Sequence, residues 1–147
     1  MPDSIDKLAK SSYSYYDMSL SEDDQQKYKS LYLQTARQYV KELHVNLLRA
    51  QSKKITADDL ASLHRAAHSL KGQSEMMAYT KIGSLSALFE DLFFAVIGEK
   101  IVLTEVLIKK LLDSVEAMNF CLDEIENKND EIDLSSNIDD LRAQIQI

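Results

Sequence analysis

The feature that most constrains this chain is its shortage of helix breakers: three glycines and one proline in 147 residues, the proline at position 2. Proline removes a backbone donor and clashes with the preceding turn, while glycine supplies the positive-φ positions that tight hairpins demand. A chain this poor in both has little material for β-turns and runs in long helices with short connections. Its hydrophobic fraction of 45% is that of an ordinary globular protein, so one core serves the length without metal or disulfide support.

Caps and periodicity place the helices. Ser21 precedes Glu22, Asp23 and Asp24, a capping hydroxyl followed by acids in the first turn. From there Tyr28, Tyr32, Thr35, Ala36, Tyr39, Val40, Leu43 and Leu47 recur every three or four residues, predicting a helix that ends near Gln51. Thr56 with Asp58 and Asp59 opens a second, whose core stripe is Leu60, Leu63, Ala67, Leu70, Ser74 and Met77. Thr80 begins a third, with Ile82, Leu85, Leu88, Phe89, Leu92, Phe93 and Val96 inward and Gly98 closing it. Thr104 and Glu105 start a fourth, carrying Ile108, Leu111, Leu112, Val115, Met118, Leu122 and Ile125. After a polar, acidic break at 127–133, Ser136 or Asn137 caps a short fifth through Ile138, Leu141 and Ile145. The expected fold is all-α, an antiparallel up-and-down four-helix bundle with a short additional C-terminal helix. Residues 1–20, with Tyr13, Tyr15 and Tyr16, read as a polar arm, 21–127 as the bundle, and 128–147 as the break plus a short helix or linker start.

The net charge of −7 gives no electrostatic footprint for nucleic acid or an anionic membrane. The longest apolar stretch, residues 85–97, is interrupted by Glu90 and Asp91 and falls short of the roughly 18 residues of a span. The start, Met1-Pro2-Asp3-Ser4, has no basic region and apolar run, so no secretory signal is expected. Cys121 stands alone, which excludes an internal disulfide and fits a reducing, cytoplasmic setting. No phosphate-cradling glycine loop or nucleotide motif occurs, so no ATP site or cofactor is expected in this chain.

The informative stretch is Arg65-Ala66-Ala67-His68-Ser69-Leu70-Lys71-Gly72. At about 100° per residue, His68 lies one step off the core stripe, beside a second stripe of His64, His68, Lys71 and Glu75 that should reach solvent. That makes a supported but accessible imidazole. Such a ring is nucleophilic near neutrality, since an ordinary histidine titrates at about 6.5. Lys71, one turn on, brings an ammonium to where phosphoryl oxygens would need one. Gly72 removes a side chain and admits a partner's surface, at a cost of about 1 kcal/mol in a helix interior. The plainer reading is also open, because a histidine at a stripe edge with a lysine three residues later is common in amphipathic helices.

These residues resemble the phosphoacceptor signature His-x-x-Lys-Gly of histidine-phosphotransfer domains. The similarity extends to Met77 and Tyr79 and to Leu88-Phe89-Glu90-Asp91-Leu92, and is greatest to the N-terminal phosphotransfer domain of CheA-type chemotaxis kinases. It covers about residues 57–96, the other helices agreeing mainly in pattern. The resemblance implies that His68 is the phosphoacceptor, that Lys71 stabilises phosphoryl charge and that Gly72 gives the partner access. Glu90 falls where that family holds the imidazole by a hydrogen bond to Nδ1–H, leaving Nε2 as nucleophile. It also implies a response-regulator receiver domain and a histidine-kinase catalytic domain, in cis or in trans, as partners, with ATP and magnesium belonging to them and the isolated domain a monomer. Two positions depart from the family's usual small residues. Ala78 is expected to need only helical geometry, and Glu75 would pair with Lys71 at i,i+4 or repel a phosphoryl group. A phosphate-independent helical interaction module, with Glu75 as the sign of decay, is the competing class.

Other constellations say less. His64 and His68 have the spacing of two metal ligands on one helix face, but no Glu follows the first histidine and no Glu-x-x-His pair exists, so no metal site is expected. His44 reads as a boundary or surface residue. Leu33, Phe94 and Ile97 are apolar positions expected on the surface, either as part of a partner patch or as ordinary scattered surface apolars.

Overall fold

The computed structural model describes residues 21–145, so the arm expected over 1–20 lies outside the described residues. Five helices follow in order: α1 (Glu22–Gln51), α2 (Ala57–Met76), α3 (Thr80–Ile97), α4 (Glu105–Lys128) and α5 (Ser135–Ile145). No strand occurs among the described residues. Three of the expected caps are in place. Ser21 accepts from Asp24 N–H, Thr104 from Leu107 N–H, and Thr56 forms a reciprocal capping box with Asp59. Among the described residues no helix is long and apolar enough to cross a membrane.

Side-chain pairs fix the directions. Tyr32 near the start of α1 bonds Ser74 near the end of α2, at 2.8 Å, while Arg49 at the end of α1 meets Asp59 at the start of α2, at 3.1 Å. Arg37 of α1 reaches Asp123 and Glu126 of α4, and Glu131 just past α4 bonds the start of α3. Arg37 is mid-helix, but Lys29 near the start of α1 also bonds Glu126 O near the end of α4, so these pairs join opposite ends and the bundle is antiparallel. The helix α5 packs on both α3 and α4, which touch each other only lightly. Its Leu141, with Leu134 before it, is buried in the common core.

The core contains the expected stripes, with Phe89 and Phe93 meeting edge to face at 5.8 Å. Leu60, Val96 and Leu112 reach only half-burial. Leu33 is not a surface residue. It is 7% exposed, because α1 packs against both α2 and α4 and so buries a wider arc than one stripe. Leu31 is the exposed apolar residue of that turn. The lone thiol, Cys121, is buried in the core, and that burial pushes it up to about 11, the range of an inert structural cysteine.

The helix ends place their left-handed residues where the sequence did not mark them. Gly98 does follow α3, but with an ordinary φ of −79°, and the left-handed residue is Glu99 at φ 58°. Ala78 does not have helical geometry. At φ 64° it is the left-handed residue of a Schellman end, where Tyr79 N–H bonds Ser74 O at 2.8 Å and Ala78 N–H bonds Glu75 O at 3.0 Å. Lys53 and Asn129 also have positive φ, so four helix ends use non-glycine residues there. A Cβ in that conformation costs roughly 1–2 kcal/mol, part of which glycine returns through its freer unfolded chain. Ala78→Gly is therefore expected to stabilise the fold by about 0.5–1 kcal/mol, read as a higher midpoint in urea with an unchanged slope.

The start of α3 has no side-chain cap of its own: Tyr79 at the N-cap position makes no capping hydrogen bond. Glu131 supplies it from the α4–α5 segment, accepting from Ile82 N–H at 2.8 Å and Lys81 N–H at 3.3 Å. Burial raises that carboxyl above its ordinary value despite the two amides. The helix that carries Glu90 is thus anchored at its first turn by a residue about fifty positions away in sequence. The helix α5 begins at Ser135, not at a cap of Ser136 or Asn137, and Asp133 accepts from both Ser135 N–H and its hydroxyl.

Candidate functional site

The site lies on the seam between α2 and α3, the most extensively packed pair in the bundle. On α2, Ala66, Ala67 and Leu70 point into the core and fix the helix's rotation. His68 is thereby turned outward and its side chain is 64% exposed. On α3, the buried neighbours Phe89 and Leu92 hold Glu90 at the edge of the core, its side chain 14% exposed and facing α2. The two meet: His68 Nδ1 is hydrogen-bonded to Glu90 Oε2. The other oxygen, Oε1, accepts from Lys71 Nζ at 2.7 Å. Sequence spacing puts His68 and Lys71 on one face; the structure adds the carboxylate that joins them.

Charge decides the tautomer. Burial pushes the Glu90 carboxyl up, but the hydrogen bonds from Lys71 and His68 outweigh it and hold the group below the usual carboxylate value. Its bond to Glu90 holds Lys71 above the usual lysine value. A depressed acid contributes its stabilisation above its unfolded value, about 4.3, and a raised base below its own, about 10.4. The network is therefore complete across the neutral range and is lost in acid, once pH falls through Glu90's lowered value. An ionised Glu90 has only lone pairs to offer, so His68 Nδ1 is the proton donor. In the neutral ring the free lone pair is then on Nε2, on a side chain open to solvent.

The remaining predicted positions are placed as follows. Gly72 is exposed, and a Cβ built there meets nothing within 4 Å, so no contact within the chain requires the glycine. Gly72→Ala should stabilise the isolated protein by roughly 1 kcal/mol while hindering whatever docks on that turn, which thermal melts and transfer rates would read separately. Lys71 pairs with Glu90 and not with Glu75, whose carboxylate makes no ion pair among the described residues. Glu75 instead leans across α3, its Cγ 3.3 Å from where a Cβ of Gly83 would stand. That close approach accounts for the glycine at 83. The polar residues beyond the signature divide: Ser74 bonds Tyr32 in the core, whereas Gln73 Oε1 is buried without a partner. Among the described residues no group of three or more His, Cys, Asp and Glu side chains is arranged to hold a metal. Sequence reasoning missed His64, whose Nε2 stands 4.0 Å from Glu90 Oε2. The stripe His64, His68, Lys71 was the available signal, since all three project toward one carboxylate.

A family model described as the Hpt domain matches residues 27–145 of this chain. The chain belongs to the Hpt domain family. Histidine phosphotransfer in two-component signalling, the function expected from its sequence, is the function of that family. Among solved structures this Hpt chain is similar to the phosphorylated P1 domain of CheA3 in complex with CheY6 from R. sphaeroides. The two are 23% identical with a TM-score of 0.75, and the match covers 81% of this chain and 95% of that one, a likeness of fold. No curated protein matches the chain.

Proposed function

We propose that this Hpt domain is a phosphoryl carrier whose acceptor is His68 Nε2. The observation that carries the reading is the exposed His68 ring bonded through Nδ1 to the buried edge carboxylate of Glu90, which leaves the opposite nitrogen nucleophilic. In uptake from a receiver's aspartyl phosphate, the Nε2 lone pair forms the N–P bond as the P–O bond to the aspartate breaks and its carboxylate leaves. The ring becomes a phospho-imidazolium with its proton still on Nδ1, and Glu90 offsets the positive charge. Donation to a receiver aspartate reverses these steps. Lys71, one turn along and 29% exposed, is near enough to shift from Glu90 toward the phosphoryl oxygens. The open turn at Gly72 gives the partner room.

The partner we infer is a response-regulator receiver, as in the similar CheA3–CheY6 complex, with a histidine-kinase catalytic domain in cis or in trans as the upstream donor. ATP and magnesium would be held by those partners. Chemistry in this domain is positioning and electrostatics. The intact histidine–carboxylate–lysine network gives no support to the reading of a decayed, phosphate-independent module.

The test is incubation of the full chain with a phosphorylated receiver or an active kinase catalytic fragment, followed by mass spectrometric mapping. Acid-labile, base-stable phosphate on His68 is expected; no label from several competent donors would sink the carrier reading. Removing the positioning carboxylate, Glu90→Ala, should slow labelling about 10–100-fold, the usual effect of losing a histidine's outer partner. The same variant should convert His68 to a mixture of tautomers, visible in its ring-nitrogen chemical shifts. A labelling rate within twofold of wild type would leave Glu90 without that role.

A further inference from the structure

The residue that the carrier reading does not use is His64, one turn before His68 on α2. Its side chain is 31% exposed, and its Nε2 lies 4.0 Å from Glu90 Oε2, the same oxygen that His68 Nδ1 bonds. The other Glu90 oxygen is occupied by Lys71. Behind His64 stands Phe94, with ring centroids 6.1 Å apart and planes tilted by 41°. That ring is itself 67% exposed, so it borders the imidazole at the surface, and Glu90 is the charged group beside it.

We propose that His64 is a positioning residue that shares Glu90 Oε2 with His68 and, when protonated, keeps His68 in its unprotonated, nucleophilic form as the medium turns acid. The proposal rests on His68 being the acceptor. A separation of 4.0 Å is too long for a hydrogen bond, so a neutral His64 leaves the oxygen to His68. A protonated His64 gains an ion pair there. Glu90 so engaged stabilises a second cation on the same oxygen less well. Two imidazoliums at i,i+4, with Cβ atoms about 5–6 Å apart, also repel. Both effects have one sign: a proton on His64 disfavours a proton on His68. The weaker pull of Glu90 also makes neutral His68 a poorer nucleophile. Nucleophilicity falls by only a fraction of the lost basicity, about half in the case of thiolates, so the larger unprotonated population wins.

Other charges near this face form no ion pair with His64, although Glu75 and Asp91 act on Lys71 beside it. On α2, Arg65 bonds Ser62 Oγ, and Glu75 leans over Gly83. On α3, Asp91 is exposed and borders a cleft it shares with Arg142 of α5. From α1, Arg49 is paired with Asp59 at the start of α2. Among the described residues, Glu90 is the carboxylate within ion-pair distance of His64.

The test uses the full chain and phosphoramidate as donor, which removes any partner's own titration. In that reaction the Nε2–P bond forms, the P–N bond breaks and the nitrogen leaves as ammonia. Initial labelling rates are compared for wild type, His64→Asn and His64→Lys from about pH 5.5 to about pH 8, with the His68 ring nitrogens followed by NMR over the same range. Taking the ratio of variant to wild type cancels the donor's pH dependence. For His64→Asn the ratio should fall roughly 3-fold between the alkaline and acid ends, and the His68 ring should protonate at higher pH. His64→Lys, a fixed positive charge, should keep the acid-side rate at or above wild type. A merely structural loss would lower the rate by one factor at every pH. A ratio constant with pH, or His68 ring titrations that coincide in the three proteins, overturns the coupling while leaving the acceptor intact. No label on wild type at any pH overturns the acceptor reading and this proposal with it.

Discussion

Glutamine in place of His68 gives a protein that folds as the wild type does and takes up no phosphoryl group. The amide nitrogen of glutamine has its lone pair delocalised into the carbonyl and cannot attack phosphorus at a useful rate. The chain's other histidines are not equivalent substitutes: His44 is on the first helix, and His64 lies beyond hydrogen-bonding distance of Glu90. Because the His68 side chain is 64% exposed, its loss removes little packing. Exposed substitutions of this kind stay within about 0.5 kcal/mol, and Glu90 retains Lys71 as a partner. The measurement pairs acid-labile label from a phosphorylated receiver with a urea melt of the same preparation. Label that persists at the wild-type level in a fully folded variant would remove His68 from the acceptor role.

Much of this site was legible in the sequence because its determinants are local. Helix periodicity alone places His68 beside, not within, the stripe of Ala67 and Leu70, and it puts Lys71 on the same face. The caps at Ser21, Thr56 and Thr104 were readable for the same reason, since a capping hydroxyl bonds an amide three residues away. The contact between His68 and Glu90 is of another kind. It spans 22 residues and depends on how α2 and α3 rotate against each other, so it came from resemblance and not from spacing. Lys71 shows the limit most clearly: i,i+4 logic offers Glu75, but the partly buried carboxylate across the seam is the stronger partner.

The misread positions share a cause in long-range packing. Leu33 faces inward because α1 has two neighbours. The acidic segment after α4, read as a break, contributes Glu131 to cap a helix that lacks a local cap. Ala78, Glu99 and Lys53 hold left-handed positions without glycine, so composition could not mark those ends. Scarcity of glycine predicted helices correctly, and the chain then meets the cost of ending them with ordinary residues.

Truncating Phe89 to alanine should destabilise the domain by about 3–5 kcal/mol, the range for emptying an aromatic site in a packed core. Phe89 is 0% exposed, packs edge-on to Phe93 at 5.8 Å, and directly precedes Glu90 on α3. A domain of this size has a total stability of about 5–15 kcal/mol, so the variant should lose a large share of it and melt roughly 10–20 °C lower. The loss is expected to reach function through position, because the residues that hold Glu90 at the seam are Phe89 and Leu92 beneath it. Below the lowered melt, labelling of His68 should still occur, but more slowly than in wild type, as α3 loses the ring that fixes its rotation. Urea melts and labelling rates on the same samples separate the two effects. A melt within about 1 kcal/mol of wild type would show that the bundle closes over the missing ring, and that the core behind Glu90 is not the rigid support the His68 geometry requires.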